Sequence, residues 1–199
     1  MKRIILASAS PRRREILQTL GLTFSVRVAD VDESCEERDP ARLCRILAAR
    51  KGDAVAQSLL AEGQDLGDVL VIASDTVVAV GDGEKTQILG KPRDADDARR
   101  MLRLLSGRTH RVMSGIYLCS GKTRALSHDE TEVDFDPLSE ADIERYIASG
   151  EPFGKVGAYA IQGRASTFIS AIRGDYFNVV GLPVHKMSVL FRSAFLQGK

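Results

Sequence analysis

A short apolar run, Ile4-Ile5-Leu6-Ala7, is followed at once by Ser8-Ala9-Ser10-Pro11 and three consecutive arginines, Arg12 to Arg14. The run reads as a buried strand. Glu15 to Leu20 reads as an amphipathic helix whose apolar face is Ile16, Leu17 and Leu20, with Gly21 placed for a left-handed cap. Ser10 stands at the N-cap position and Pro11 at the first helical position, where a missing N–H costs nothing. The stretch therefore predicts strand, tight serine turn and helix. Three cations in a first helical turn oppose the helix dipole unless an anion arrives. A phosphate would reverse the sign, because backbone N–H groups, serine hydroxyls and arginine forks all donate to it.

The rest of the chain alternates in the same manner. Thr23 to Val28 suggests a second strand, leading into an acidic segment from Asp30 to Glu37. Asp39-Pro40 signals a helix running to about Leu60, with Leu43, Leu47, Val55 and Leu59 inward and Gly52 as a potential break. Val69 to Ala73 is a continuous apolar run, as expected of a strand buried on both faces; it ends in Ser74-Asp75-Thr76, Val77 to Val80 continues, and Gly81-Asp82-Gly83 turns the chain. A carboxylate at the end of a buried strand is where layered α/β proteins place ligands. Gln87 to Pro92 brings the chain back. Asp94, Asp96 and Asp97 open a helix that closes at Gly107, and these acids read as capping groups and not as metal ligands. Thr109 to Cys119 and Thr123 to Asp136 form a hairpin around Ser120-Gly121-Lys122. Ser139 to Asp142 resembles a capping box opening a helix that stops at Gly150. Residues 151 to 181 are glycine-rich, and a final helix runs from Pro183 to about Leu196. The expectation is one continuous α/β domain over residues 1–199, a mixed twisted sheet flanked by helices, with two lobes around a central cleft.

Composition excludes several classes. The 199 residues carry a formal net charge of +1 with 44% hydrophobic and 28% charged residues. That balance leaves no broad basic footprint for nucleic acid or an anionic membrane, so any anion site is local. No run approaches the roughly 20 apolar residues of a membrane span. Cys35, Cys44 and Cys119 have no metal-type spacing, and such a sparse set fits a reducing compartment, so we expect a cytoplasmic protein. Gly121-Lys122-Thr123 is not a P-loop, because five residues separate it from Gly115 where the motif needs four. His110, His128 and His185 are scattered and read as structural or surface residues.

Ala7-Ser8-Ala9-Ser10-Pro11-Arg12-Arg13 resembles the opening motif of the Maf family of nucleoside triphosphate pyrophosphatases. The resemblance returns, in family order, at Ser74-Asp75-Thr76, at Gly90-Lys91-Pro92, at Gly157-Ala158-Tyr159-Ala160-Ile161-Gln162-Gly163, and from Gly174 to Pro183. It implies a Maf/inosine-triphosphatase-like fold and cleavage of a nucleoside triphosphate to its monophosphate and diphosphate. It implies Ser8, Arg12, Arg13, Lys51 and Lys91 as phosphate-binding residues. It also implies Asp75 as the catalytic aspartate and Glu33, with Asp32 and Glu36 as neighbouring alternatives, as a second carboxylate facing a divalent cation, Mg²⁺ or Mn²⁺. Thr76 and Gln162, together with Arg12, match the subgroup acting on dTTP and UTP, whereas the 7-methyl-GTP subgroup carries glutamine and glutamate at the first two positions. A homodimer and an association with arrest of cell division are further implications of the resemblance.

The chemistry of these residues agrees. A triphosphate needs several cations, and hydrolysis needs a group to take the proton of an attacking water or to hold a metal that acidifies it. Asp75 could serve either way. A neutral amide at position 162 can both donate to and accept from a pyrimidine's O4/N3 edge. A nucleotide-sensing protein without catalysis is the competing class, but it has no need of Asp75 together with Glu33.

Overall fold

Strand alternation and helix periodicity together decide which side chains meet. The computed structural model describes residues 2–196, and these divide into two compact units. Among them the first comprises residues 2–75, 114–129 and 181–196, and the second Thr76–Met113 and Glu130–Val180. The strands form a seven-stranded mixed sheet in the order β2-β1-β3-β5-β6-β7, with β4 also paired to β3, and helices flank it.

In the first unit, β1 (Arg3–Leu6) pairs in parallel with β2 (Phe24–Val26) and with β3 (Val69–Val80), setting Leu6 opposite Ile72. The helices α1 (Pro11–Thr19) and α2 (Pro40–Ala61) are the crossovers of these parallel pairs. The second strand is shorter than the sequence pattern suggested, because only Phe24 to Val26 find partners on β1. In contrast, β3 is longer. It does not break at Ser74-Asp75-Thr76 but runs as one strand of 12 residues from Val69 to Val80, nearly all buried. The β-branched run Thr76-Val77-Val78 favours continued strand.

One face of β3 meets α2. Val69, Val71 and Ala73 alternate onto it and pack with Ala48, Val55, Ala56 and Leu59. Leu43, expected in this core, is half-buried, and Cys44 takes the buried position. The helix is unbroken at Gly52, where a Cβ would run into the ring of Tyr117 on β5 (Thr109–Ser120). Gly115 on the same strand lies against the backbone carbonyl of Cys44. These two glycines let helix and strand approach closely and so set the height of α2 over the sheet. We expect Gly115→Ala to destabilise the protein by about 2 kcal/mol, as overpacking against rigid backbone does. A denaturant midpoint unchanged from the parent chain would contradict this close approach.

The second unit holds the later half of β3, β4 (Gln87–Leu89), α3 (Ala95–Leu105), the unit's share of β5 and β6 (Thr123–Phe135), α4 (Glu140–Ala148), β7 (Ile169–Arg173) and the short α5 (Tyr176–Val180). Its core gathers Val78, Val80, Leu102, Leu105, Val133, Phe135, Ile143, Tyr146 and Tyr159. Asp94 caps α3 by accepting from the Asp97 N–H, as the acid cluster suggested. Ser139 and Asp142 form the full capping box of α4. The chain closes with α6 (Val184–Phe191) and a π-helical turn over Arg192–Leu196, where one continuous helix was expected. Among the described residues no helix is long and apolar enough to cross a membrane.

Candidate active site

Asp75 is 8% exposed and lies on the same side of β3 as Val69, Val71 and Ala73. A buried carboxylate needs a partner. Lys51 supplies it: three residues after Ala48 and four before Val55, it shares the sheet-facing side of α2. Its ammonium bonds Asp75 Oδ1 and stands 2.9 Å from Glu33 Oε1. Among the three neighbouring acids it is thus Glu33 that reaches the lysine. Asp32 turns away to accept the N–H and hydroxyl of Ser34, which holds its carboxyl below the usual range.

The opening turn delivers a second set of charges to the same unit. Ala7 N–H donates to Ile72 O at 2.8 Å, tying the turn to β3. Ser10 occupies the N-cap position of α1 with extended backbone, but its hydroxyl makes no cap bond, contrary to the sequence expectation. The Ser8 hydroxyl instead accepts the Ser10 N–H at 3.2 Å and the Arg13 Nη1 donor at 3.0 Å. Arg13 is 9% exposed, and its Nε donates to Gly181 O at 2.7 Å. Burial pulls its pKa down, Asp75 and Glu33 oppose that shift, and Arg12 adds to it. The guanidinium, the two carboxylates and the second arginine therefore share one field.

Gly181 O also accepts the Ser74 hydroxyl at 3.1 Å, and Ser74 is fully buried. One carbonyl thereby anchors both the buried arginine and the residue preceding Asp75. Gly181 adopts φ 126°, which an L side chain rarely does. Sequence reasoning missed Ser74 and Gly181 as contributors. Their signal was position, since both lie inside blocks singled out for other residues.

Thr76 follows Asp75 along β3 and is half-buried. Lys91 and Gln162 belong to the second unit, and both are exposed. Within that unit the Gly157 N–H donates to Gly90 O at 2.9 Å, which brings the lysine turn and the glutamine loop together. Gly157 and Ala158 are consecutive left-handed residues, at φ 71° and 61°, and Ala158 is buried. The structure thus assembles Ser8, Arg13, Glu33, Lys51 and Asp75 around one unit's sheet. It sets Lys91 and Gln162 on linked loops of the other.

Among the described residues no three His, Cys, Asp or Glu side chains converge as a ready metal cage. Two carboxylates converging on a single cation position are nonetheless a fitting donor pair for Mg²⁺ or Mn²⁺. Such ions take one or two carboxylates and complete their shell with water and substrate phosphates.

The chain closely resembles proteins of known naming. A dTTP/UTP pyrophosphatase of Alkaliphilus oremlandii is 47% identical over 198 residues, covering 98% of this chain and 97% of its own. The proteins of the same name from Symbiobacterium thermophilum and Chromobacterium violaceum are each 48% identical, covering 94% of this chain and 91% and 92% of their own. The solved Staphylococcus aureus Ham1 protein overlays on 67% of this chain and 72% of its own at 16% identity with a TM-score of 0.46, too weak a likeness to carry a functional argument. The family model described as Maf-like protein matches residues 3–194, and the chain belongs to that family.

Proposed function

We propose that this chain hydrolyses dTTP and UTP to the nucleoside monophosphate and diphosphate. It is then a hydrolase acting on the acid anhydride between the α and β phosphates. The observation that carries the reading is the Lys51–Asp75–Glu33 cluster beside the buried Arg13. The names of the relatives support the substrate class and the bond cleaved.

Without substrate, the Lys51 ammonium bridges two carboxylates. An arriving triphosphate offers that ammonium a stronger set of oxygens, and Lys51 then turns toward phosphate with Ser8, Arg12, Arg13 and Lys91. This leaves the Asp75 carboxylate able to take a proton from the attacking water, and no covalent nucleophile is needed. A divalent cation held by Asp75 and Glu33 would neutralise phosphate charge and acidify a bound water. Thr76, Gln162 and Arg12 read the base in this proposal, with the neutral Gln162 amide pairing the O4/N3 edge of uracil or thymine.

The test is pyrophosphate release from dTTP, UTP, CTP, GTP and 7-methyl-GTP, with Mg²⁺ or Mn²⁺ and with chelator. We expect metal-dependent release favouring dTTP and UTP. Binding without release from any substrate would make the chain a nucleotide sensor. Replacing Gln162→Glu should lower kcat/KM for dTTP by about tenfold, because a carboxylate cannot donate to O4. An unchanged substrate ranking in that variant would remove Gln162 from base recognition.

A further inference from the structure

The Gln162 loop is framed by two side chains to which the reading above gives no role. Glu151 follows α4, and Tyr146 lies within it. The Glu151 carboxylate accepts from three donors: the Tyr146 hydroxyl at 2.9 Å, the Arg164 N–H at 3.0 Å and the Ala165 N–H at 3.4 Å. The Tyr146 oxygen in turn accepts the Ala160 N–H at 3.3 Å. Both ends of the loop are therefore tied to one pair, Ala160 through the tyrosine and residues 164–165 through the carboxylate. Within the loop, Gly163 N–H donates to Ala160 O and Ser166 N–H to Gly163 O, each at 3.0 Å.

The fit around this frame is close. A Cβ at Gly163 would run into the Glu151 carboxylate, so the loop passes directly against it and a side chain there would displace the carboxylate. Tyr146 is buried and meets the Phe168 ring edge-on at 5.2 Å, which fixes the hydroxyl's direction. Partial burial works against the Glu151 charge, but the donors of Arg164, Tyr146 and Ala165 outweigh it and keep the carboxyl ionised below the usual range. An ionised carboxylate accepts on both oxygens and cannot turn a donor toward the loop. The arrangement leaves only Ile161 and Gln162 between the tied ends and the glycine, with Gln162 outward.

We propose that Glu151, through Tyr146, is a positioning residue that fixes the backbone on which Gln162 is presented and so sets the choice of pyrimidine. The proposal rests on the reading of Gln162 as the base-recognising residue. Its chemistry follows from the two bases. Thymine and uracil present an acceptor at O4 and a donor at N3, whereas cytosine presents a donor at N4 and an acceptor at N3. An amide held one way discriminates between them. An amide free to turn over pairs equally well with either, because its oxygen and NH₂ exchange places. A loop held in one place presents the amide to the base edge at one reach and angle, which limits the pairings it can make.

The experiment measures kcat and KM for dTTP and CTP in Glu151→Gln, Tyr146→Phe, the double variant and Gln162→Ala, with thermal unfolding of each. Glutamine at 151 presents an NH₂ to at least one loop donor and so loosens the frame. We expect Glu151→Gln to reduce the dTTP over CTP ratio of kcat/KM by about fivefold, the worth of one neutral hydrogen bond. Most of that change should lie in KM for dTTP. Tyr146→Phe should move the ratio the same way, and the double variant should lose less than the product of the two single effects, as members of one unit do. A folded Glu151→Gln that slows both substrates equally, or leaves the ratio unchanged while Gln162→Ala alters it, overturns the proposal. An unchanged ratio in Gln162→Ala overturns the base-recognition reading instead. Should Glu151→Gln not fold, the ratio in Tyr146→Phe decides alone.

Discussion

Asp75→Asn is expected to lower turnover by about a thousandfold, in the middle of the range for loss of a positioned proton acceptor. The fold should survive. Asn keeps the shape of Asp, and its amide oxygen can still accept from Lys51. Lys51 also retains Glu33 at 2.9 Å, so the substitution does not strand a buried charge. Nucleotide binding should survive as well and can strengthen, because one negative charge facing a polyanion is gone. The measurement is single-turnover pyrophosphate release with a fluorescent dTTP analogue reporting binding. Turnover within tenfold of the parent chain would eliminate Asp75 as proton acceptor. Loss of binding and turnover together would instead assign its carboxylate to holding the substrate complex.

The pairing behind that prediction was within reach of the sequence. A strand with Val69, Val71 and Ala73 inward puts Asp75 on the same face, and a helix with Ala48, Val55 and Leu59 inward puts Lys51 there. Two periodicities alone bring the charges together once the strand is allowed to run through Asp75. The sequence pattern separates Val69 to Ala73 from Val77 to Val80 at Ser74-Asp75-Thr76, since aspartate is a poor strand residue, and the partner 24 residues earlier is what lets one strand run through it. The choice among Asp32, Glu33 and Glu36 was not legible, since an irregular loop has no period from which to assign a face. Nor was the difference between Ser8 and Ser10. Both suit a helix start, and the preference for Ser8 comes from a buried Arg13 whose second anchor, Gly181, lies 168 residues away. Gly52 shows the same limit. Local propensity marks a helix break, while the reason for glycine is a tyrosine ring from a distant strand. Glu151 had no local signal at all, because its role is to accept from backbone that only the folded loop brings to it.

Acid should weaken the second unit through His110, and this is the larger of the expected stability effects. His110 is 1% exposed and meets Phe135 and Tyr159 edge-on, with ring centroids 5.0 and 5.3 Å away. Its Nε2 shares a hydrogen bond with the Tyr159 hydroxyl at 2.8 Å, and its Nδ1 is buried without a hydrogen-bond partner. Burial pushes its pKa down to about 4 from the ordinary 6.5, with the Asp134 charge opposing weakly. Between those values the unfolded chain binds a proton that the folded chain refuses. Stability is therefore complete above pH 6.5 and falls as the pH drops toward 4, by about 1.4 kcal/mol per pH unit and about 3 kcal/mol in all. Asp134, which Arg173 and Thr109 hold at about 2, contributes its own loss only at lower pH and leaves the histidine window distinct. Denaturant midpoints between pH 7 and 5 should show about 2 kcal/mol of this decline. His110→Phe, which keeps the ring and removes the titration, should flatten the slope over that interval whatever its absolute stability. The same slope in parent and variant would mean that another group carries the acid sensitivity and that His110 is protonated without cost in the folded state.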